Sequence, residues 1–173
     1  LAWQLPNLKF QNGLKHWDAV VFQGNSTAPI SENEETRASF ETAAAEMAKI
    51  AQKAGSRVVY FMTWAPEAEP EETGALARAY VDIAQKTGGY VAPVGLAFAR
   101  ARTEQPGIDL YYVDGKHPSL EGTYLAACVF FATLYNQSPV GGAVPLGSDM
   151  ATETARALQT VAWETVQAFR TQP

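Results

Sequence analysis

The run Arg57-Val-Val-Tyr-Phe-Met-Thr63 most limits what this chain can become. It is β-branched and aromatic, and apolar nearly throughout. A strand without polar alternation is covered on both faces, as in a parallel sheet with helices on either side. The neighbouring segments supply the helices. Over residues 32–54, Phe40, Ala44, Met47, Ile50 or Ala51, and Ala54 recur at three- and four-residue spacing and form one apolar stripe. Glu32, Glu34 and Glu35 at its start and Lys49 and Lys53 at its end suit the helix dipole, and Gly55 stops it. Over residues 74–87 the stripe is Leu76, Tyr80, Ile83 and Ala84, closed by Gly88 and Gly89.

The same alternation runs along the rest of the chain. Residues 18–22 read as a buried strand feeding the loop Gln23-Gly24-Asn25-Ser26, and residues 90–93 as a short strand. A short helix spans 94–102, and residues 109–113 lead into Asp114-Gly-Lys-His117-Pro-Ser119. Ser119 is a good N-cap for a helix running to residue 135, with Glu121 in its first turn. A Pro/Gly-rich connector over 138–147 precedes a last helix over 149–170, whose face is Ala155, Leu158, Val161 or Ala162, Thr165 and Phe169. Strand–helix alternation predicts a three-layer α/β/α sandwich on a parallel sheet, as one domain over residues 1–173. Ligands of such sheets sit beyond the carboxyl ends of the strands. That crevice is expected to receive the 23–26 loop, the corner at Trp64 and the 114–117 loop.

Composition narrows the function. At 173 residues, 47% hydrophobic and 18% charged, the chain has enough apolar side chains for a full core, which excludes a disordered protein. A net charge of −5 argues against nucleic-acid binding. The most apolar stretch, residues 120–134, is interrupted by Glu121, Gly122 and Thr123 and falls short of the ~20 residues a bilayer helix needs. The single cysteine, Cys128, cannot close an internal disulfide, and it leaves the compartment undetermined. The two histidines and the cysteine are far apart in sequence, so no zinc site is expected, nor any cofactor. The acidic run Glu67, Glu69, Glu71, Glu72 reads as a solvated loop, and His16, just before the first strand, as structural or exposed. The chain starts at Leu1, without an initiator methionine or a signal-like segment, and a processed or truncated N-terminus is expected.

The one spacing that suggests chemistry is Asp114 and His117, three apart in a loop kept irregular by Gly115 and Pro118. There the carboxylate can accept the imidazole Nδ1–H and hold the ring with Nε2 outward, able to take a proton from a hydroxyl. An ordinary imidazole suits general-base work near neutrality. Spacing alone equally allows solvated turn residues and a helix-entry histidine. Gly24, Asn25 and Ser26 are likewise ordinary turn formers.

The word Asp-Gly-Lys-His-Pro-Ser, followed by Glu-Gly-x-Tyr-Leu-Ala-Ala, resembles the last signature block of the SGNH (GDSL-like) hydrolases. His16-Trp17-Asp18-Ala-Val-Val-Phe-Gln23-Gly24-Asn25-Ser26 is similar to their third block, and Phe61-Met-Thr-Trp64-Ala and Val91-Ala-Pro-Val-Gly95 also look like family sequence. The resemblance runs over nearly the whole chain. It implies the flavodoxin-like SGNH sandwich and a serine esterase acting on acyl esters, such as acetyl esters of a small molecule or carbohydrate. In that reading Asp114 and His117 complete a Ser-His-Asp triad, Gly24 with Asn25 or Gln23 lines the oxyanion hole, and Trp64 walls the acyl pocket or is core. The resemblance also tilts the location towards a secreted or periplasmic one.

One departure matters. The family's nucleophile lies in a first block after the first strand, and a second block adds a glycine; both would fall before Leu1. The N-terminal strands are then missing from this chain. A separate N-terminal segment or second chain is expected to complete the sheet, because the strand at 18–22 would otherwise be an exposed apolar edge. Two alternatives stay open. Gly24-Asn25-Ser26 also fits the first-block word, which would make Ser26 the nucleophile. But the interval from Ser26 to Asp114 holds two strand–helix units, and its strand end at residues 63–66 carries no Gly-x-Asn word. The other alternative is a non-catalytic SGNH-like module that binds a ligand in the same crevice.

Overall fold

A computed structural model describes residues 17–145 and 147–171; His16 lies outside the described residues. Along the chain the elements are β1 (Ala19–Gln23), α1 (Glu34–Lys53), β2 (Arg57–Phe61), α2 (Thr73–Thr87), β3 (Tyr90–Ala92), α3 (Val94–Glu104), α4 (Leu120–Tyr135) and α5 (Thr152–Arg170). Single 3-10 turns occupy Ala28–Ile30 and Pro70–Glu72. The protein is α/β, with a three-stranded parallel sheet in the order β1-β2-β3 flanked by helices. The chain divides into two compact units. One runs to Met62 and resumes over Ala75–Val91; the other comprises Thr63–Gly74 and the chain from Ala92.

The first unit holds the paired strands. β1 and β2 are parallel, in register from Ala19 opposite Arg57 to Gln23 opposite Phe61. Val58, Val59 and Tyr60 are buried in succession, as a strand covered on both faces must be. β1 is different: among the described residues it stands at the edge of the sheet, with Val21 42% exposed and only Phe22 buried. α2 follows its apolar spacing throughout, α1 only in part. Leu76, Tyr80, Ile83 and Ala84 of α2 are buried as their periodicity predicts. On α1 the buried stripe is Ala44, Ala48 and Ala51, while Phe40 and Met47 stay half-buried. Small side chains let this helix approach closely, so that the Ala44 carbonyl accepts from the Tyr60 hydroxyl at 3.4 Å. Asn33 caps α1 by accepting from the Thr36 N–H, which starts the helix two residues later than its glutamates suggest.

The second unit packs α3, α4 and α5 together, with the most extensive contact between α4 and α5. Leu125, Val129, Ala132, Leu158 and Ala162 are fully buried there, and each leucine side chain contributes about 1.5–3 kcal/mol by leaving water. Cys128 belongs to this core, and burial pushes its thiol up to about 11, so it is held as an unreactive thiol. Gln159 is, with Thr165, a buried polar residue on the apolar face of α5. The Gln159 amide accepts from the Gly141 N–H and donates to the Gly142 carbonyl and the Tyr124 hydroxyl, fastening the connector to the helices. α5 begins at Thr152 rather than at 149, with Ala151 in the cap position and no side-chain cap. Among the described residues no helix is long and apolar enough to cross a membrane.

Candidate active site

The 114–117 turn closes on itself because of what precedes and follows it. Tyr111 and Pro118 form an isolated antiparallel bridge, and the Tyr112 N–H donates to the His117 carbonyl at 2.8 Å. The turn between them needs a left-handed residue, which Gly115 supplies at φ 65°. Asp114 then acts as its own loop's acceptor. Its Oδ1 takes the N–H groups of Lys116 and His117, both at 2.9 Å. Its Oδ2 lies 2.6 Å from His117 Nδ1. The bond to His117 first, and the two backbone N–H groups after it, lower the Asp114 carboxyl to about 2. The carboxylate is therefore ionised, and the ring is held by Nδ1 with its side chain 79% exposed. This is the arrangement the spacing allows: a carboxylate orienting an imidazole.

Ser119 ends the turn. Its hydroxyl accepts from the Gly122 N–H at 3.0 Å as the N-cap of α4 and donates to the Asp109 carbonyl at 2.8 Å. The cap thus ties the helix start to the segment leading into the turn. Trp64 is half-buried. Its ring stacks on Phe98, with centroids 4.4 Å apart and planes 6° apart, and its Nε1–H donates to the Lys116 carbonyl at 2.9 Å. It therefore supports the turn that carries His117, a contact between residues 52 positions apart that no local pattern announces.

The second candidate corner lies in the other unit. Gln23 is the last residue of β1, one place later than the sequence suggests, and Gly24 and Asn25 follow it. With Phe22, Phe40 and Met47 they line a cavity of about 470 Å³ alongside α1. A Cβ on Gly24 would come within 2.9 Å of the Phe40 ring and 3.2 Å of the Tyr80 hydroxyl, so close packing alone asks for glycine there. The Asn25 carbonyl accepts from the Ala28 N–H at 2.7 Å, closing a turn. Within that turn Ser26 has φ +23°, a positive value uncommon outside glycine. Among the described residues no group of three or more His, Cys, Asp or Glu side chains is placed to hold a metal ion.

Two solved structures resemble this chain. The crystal structure of a DUF4886 family protein from Bacteroides uniformis matches with a TM-score of 0.74 and 20% identity, over 96% of this chain and 66% of that one. A protein from Slackia heliotrinireducens, described as "a putative SGNH hydrolase", matches with a TM-score of 0.58 and 28% identity, over 77% of this chain and 78% of that one. The chain thus spans 66% of the first neighbour's length. No protein-family model matches the chain, and no curated protein matches it. Strand order, helices and these neighbours together give the chain an SGNH-like α/β fold.

Proposed function

We propose that this chain carries the acid–base pair of a serine esterase, with Asp114 and His117 acting on a serine supplied by a segment upstream of Leu1. The observation that carries this reading is the 2.6 Å contact between Asp114 Oδ2 and His117 Nδ1 on an exposed turn. In the reaction the serine oxygen attacks the ester carbonyl carbon while His117 Nε2 takes its proton. The tetrahedral intermediate then collapses, and the same nitrogen protonates the departing alcohol; water repeats both steps on the acyl-enzyme. Asp114 holds the tautomer and stabilises the imidazolium. The family resemblance assigns the oxyanion donors to the Gly24 N–H and the side chain of Asn25 or Gln23, and one such donor is worth about 2.7–4 kcal/mol. Substrates are acyl esters, acetyl esters foremost, of a small molecule or carbohydrate. At the edge of the sheet among the described residues, the 42% exposure of Val21 supports a further strand, on the same precursor or on a second chain, that completes the sheet.

The test uses the full-length product and a short-chain nitrophenyl ester. Turnover is expected, with loss of nearly all of it on His117→Ala. No turnover in the parent protein would replace the esterase with a binding module of the same fold.

A second reading, with Ser26 as nucleophile, draws on its exposed position and positive φ. One substitution separates the two. Ser26→Gly relieves the backbone and is expected to raise stability by about 0.5–1 kcal/mol in a thermal melt. Under the upstream-serine reading turnover persists; under the Ser26 reading it vanishes, and a fluorophosphonate probe labels Ser26 in the parent protein.

A further inference from the structure

We infer that the corner formed by Trp64 and Glu67 is a positioning element for His117. The two peptide units that lead into His117 are each held at both ends. In the first, the Lys116 N–H donates to Asp114 Oδ1 at 2.9 Å and the Gly115 carbonyl accepts from the Glu67 N–H at 2.8 Å. In the second, the His117 N–H donates to the same Oδ1 at 2.9 Å and the Lys116 carbonyl accepts from Trp64 Nε1–H at 2.9 Å. Asp114 therefore fixes the N–H ends of both peptide planes, and the 64–67 corner fixes their carbonyl ends. Together these bonds set both planes, and with them the direction in which His117 leaves the backbone.

The corner is itself fastened from behind. Trp64 lies flat on the buried Phe98 ring, and the Tyr111 hydroxyl donates to the Ala65 carbonyl at 2.9 Å. Arg102 Nη2 donates to the Glu67 carbonyl at 3.0 Å while its guanidinium sits 5.5 Å from the Tyr111 ring centroid. A loop closed only by its own hydrogen bonds would sample several orientations. This one is braced against a packed core, as a group that must meet a reacting atom within fractions of an ångström requires. The rate readout below rests on the esterase reading; the geometric one does not.

The experiment compares Trp64→Phe with the parent in the intact, ¹⁵N-labelled protein. Phenylalanine keeps an aromatic ring, smaller than the indole, for the Phe98 stack and removes the N–H donor. The readout is the His117 Nδ1 proton in the short bond to Asp114, assigned by its disappearance in His117→Ala. Trp64→Phe is expected to shift that resonance and speed its exchange with water. Nitrophenyl ester turnover is expected to show kcat down on the order of tenfold with KM unchanged, since misplacing a catalytic group by 1 Å costs about 10²-fold. An unmoved resonance with parental exchange overturns the clamp, whatever the rate. A moved resonance in a protein with no esterase activity upholds the clamp and removes the esterase. Should Trp64→Phe fold poorly, Arg102→Met loosens the same corner from the surface of α3, and the resonance is read in the same way.

Discussion

Asp114→Asn is expected to lower ester turnover of the complete protein by about 10⁴-fold while leaving the loop folded, because it reverses the tautomer of His117 rather than removing a support. The two carboxylate oxygens have different duties. Oδ1 accepts two backbone N–H groups, from Lys116 and His117, and an asparagine oxygen can accept both. With the amide oxygen so committed, the amide nitrogen faces His117 Nδ1, where Oδ2 stood at 2.6 Å. An NH₂ group can only donate there. The ring must then carry its proton on Nε2, the nitrogen that should be accepting one from the serine. Measured kcat and the His117 ring ¹⁵N shifts check the two halves separately. Parental turnover in Asp114→Asn would mean that the imidazole is not the base.

Protonating Asp114 removes the same bond and gives the matching pH behaviour. Its folded value is depressed to about 2 from the ordinary 3.8. The sign follows from the depression: the carboxylate's contribution to stability is complete above the unfolded value and is lost as pH falls through the folded one. The Asp114–His117 turn should therefore persist through mild acid, and its opening should be confined to the window from about pH 4 down to about pH 2. An acid limb of the rate profile at higher pH belongs to another group.

Periodicity made the supporting elements legible in the sequence. Residues 58–60 read as a strand covered on both faces because no polar residue interrupts them, and α2 buries the four residues its spacing selects. α1 was legible only in part. A stripe of period 3.6 includes large and small residues alike, and packing chose the alanines for the closest approach. α5 starts three residues after 149, with Ala151 at the cap and no side-chain cap to mark its first turn. Asp114 and His117 were legible because their partnership is local, three residues across a glycine turn. The contacts that brace them were not. Trp64 and Glu67 reach the turn from about fifty positions away, and half of that bracing is backbone, which carries no residue signature.

Gly122→Ala is expected to destabilise the second unit by about 2–3 kcal/mol, although alanine is the better helix former by about 1 kcal/mol. Glycine in the first turn of α4 looks like a weakness by propensity alone. The structure supplies the reason for it: a Cβ there would lie 2.2 Å from the Leu110 carbonyl oxygen and 2.9 Å from Phe98 Cζ. The carbonyl cannot swing away cheaply. It already accepts from the Ser119 N–H at 3.0 Å, and Leu110 is 1% exposed. Relief requires the helix start to lift from the 109–111 segment, breaking bonds to and from the Ser119 cap. The lost packing outweighs the helical gain. A thermal melt should show a midpoint lower by several degrees, at about 2–4 °C per kcal/mol for a chain of this size. Because the Ser119 hydroxyl joins α4 to Asp109, and Tyr112 joins that segment to the His117 carbonyl, the shift also reaches the imidazole. The His117 ring signal should therefore move with the melting midpoint. An alanine variant as stable as the parent would show that the close approach of α4 to Leu110 does not hold the turn.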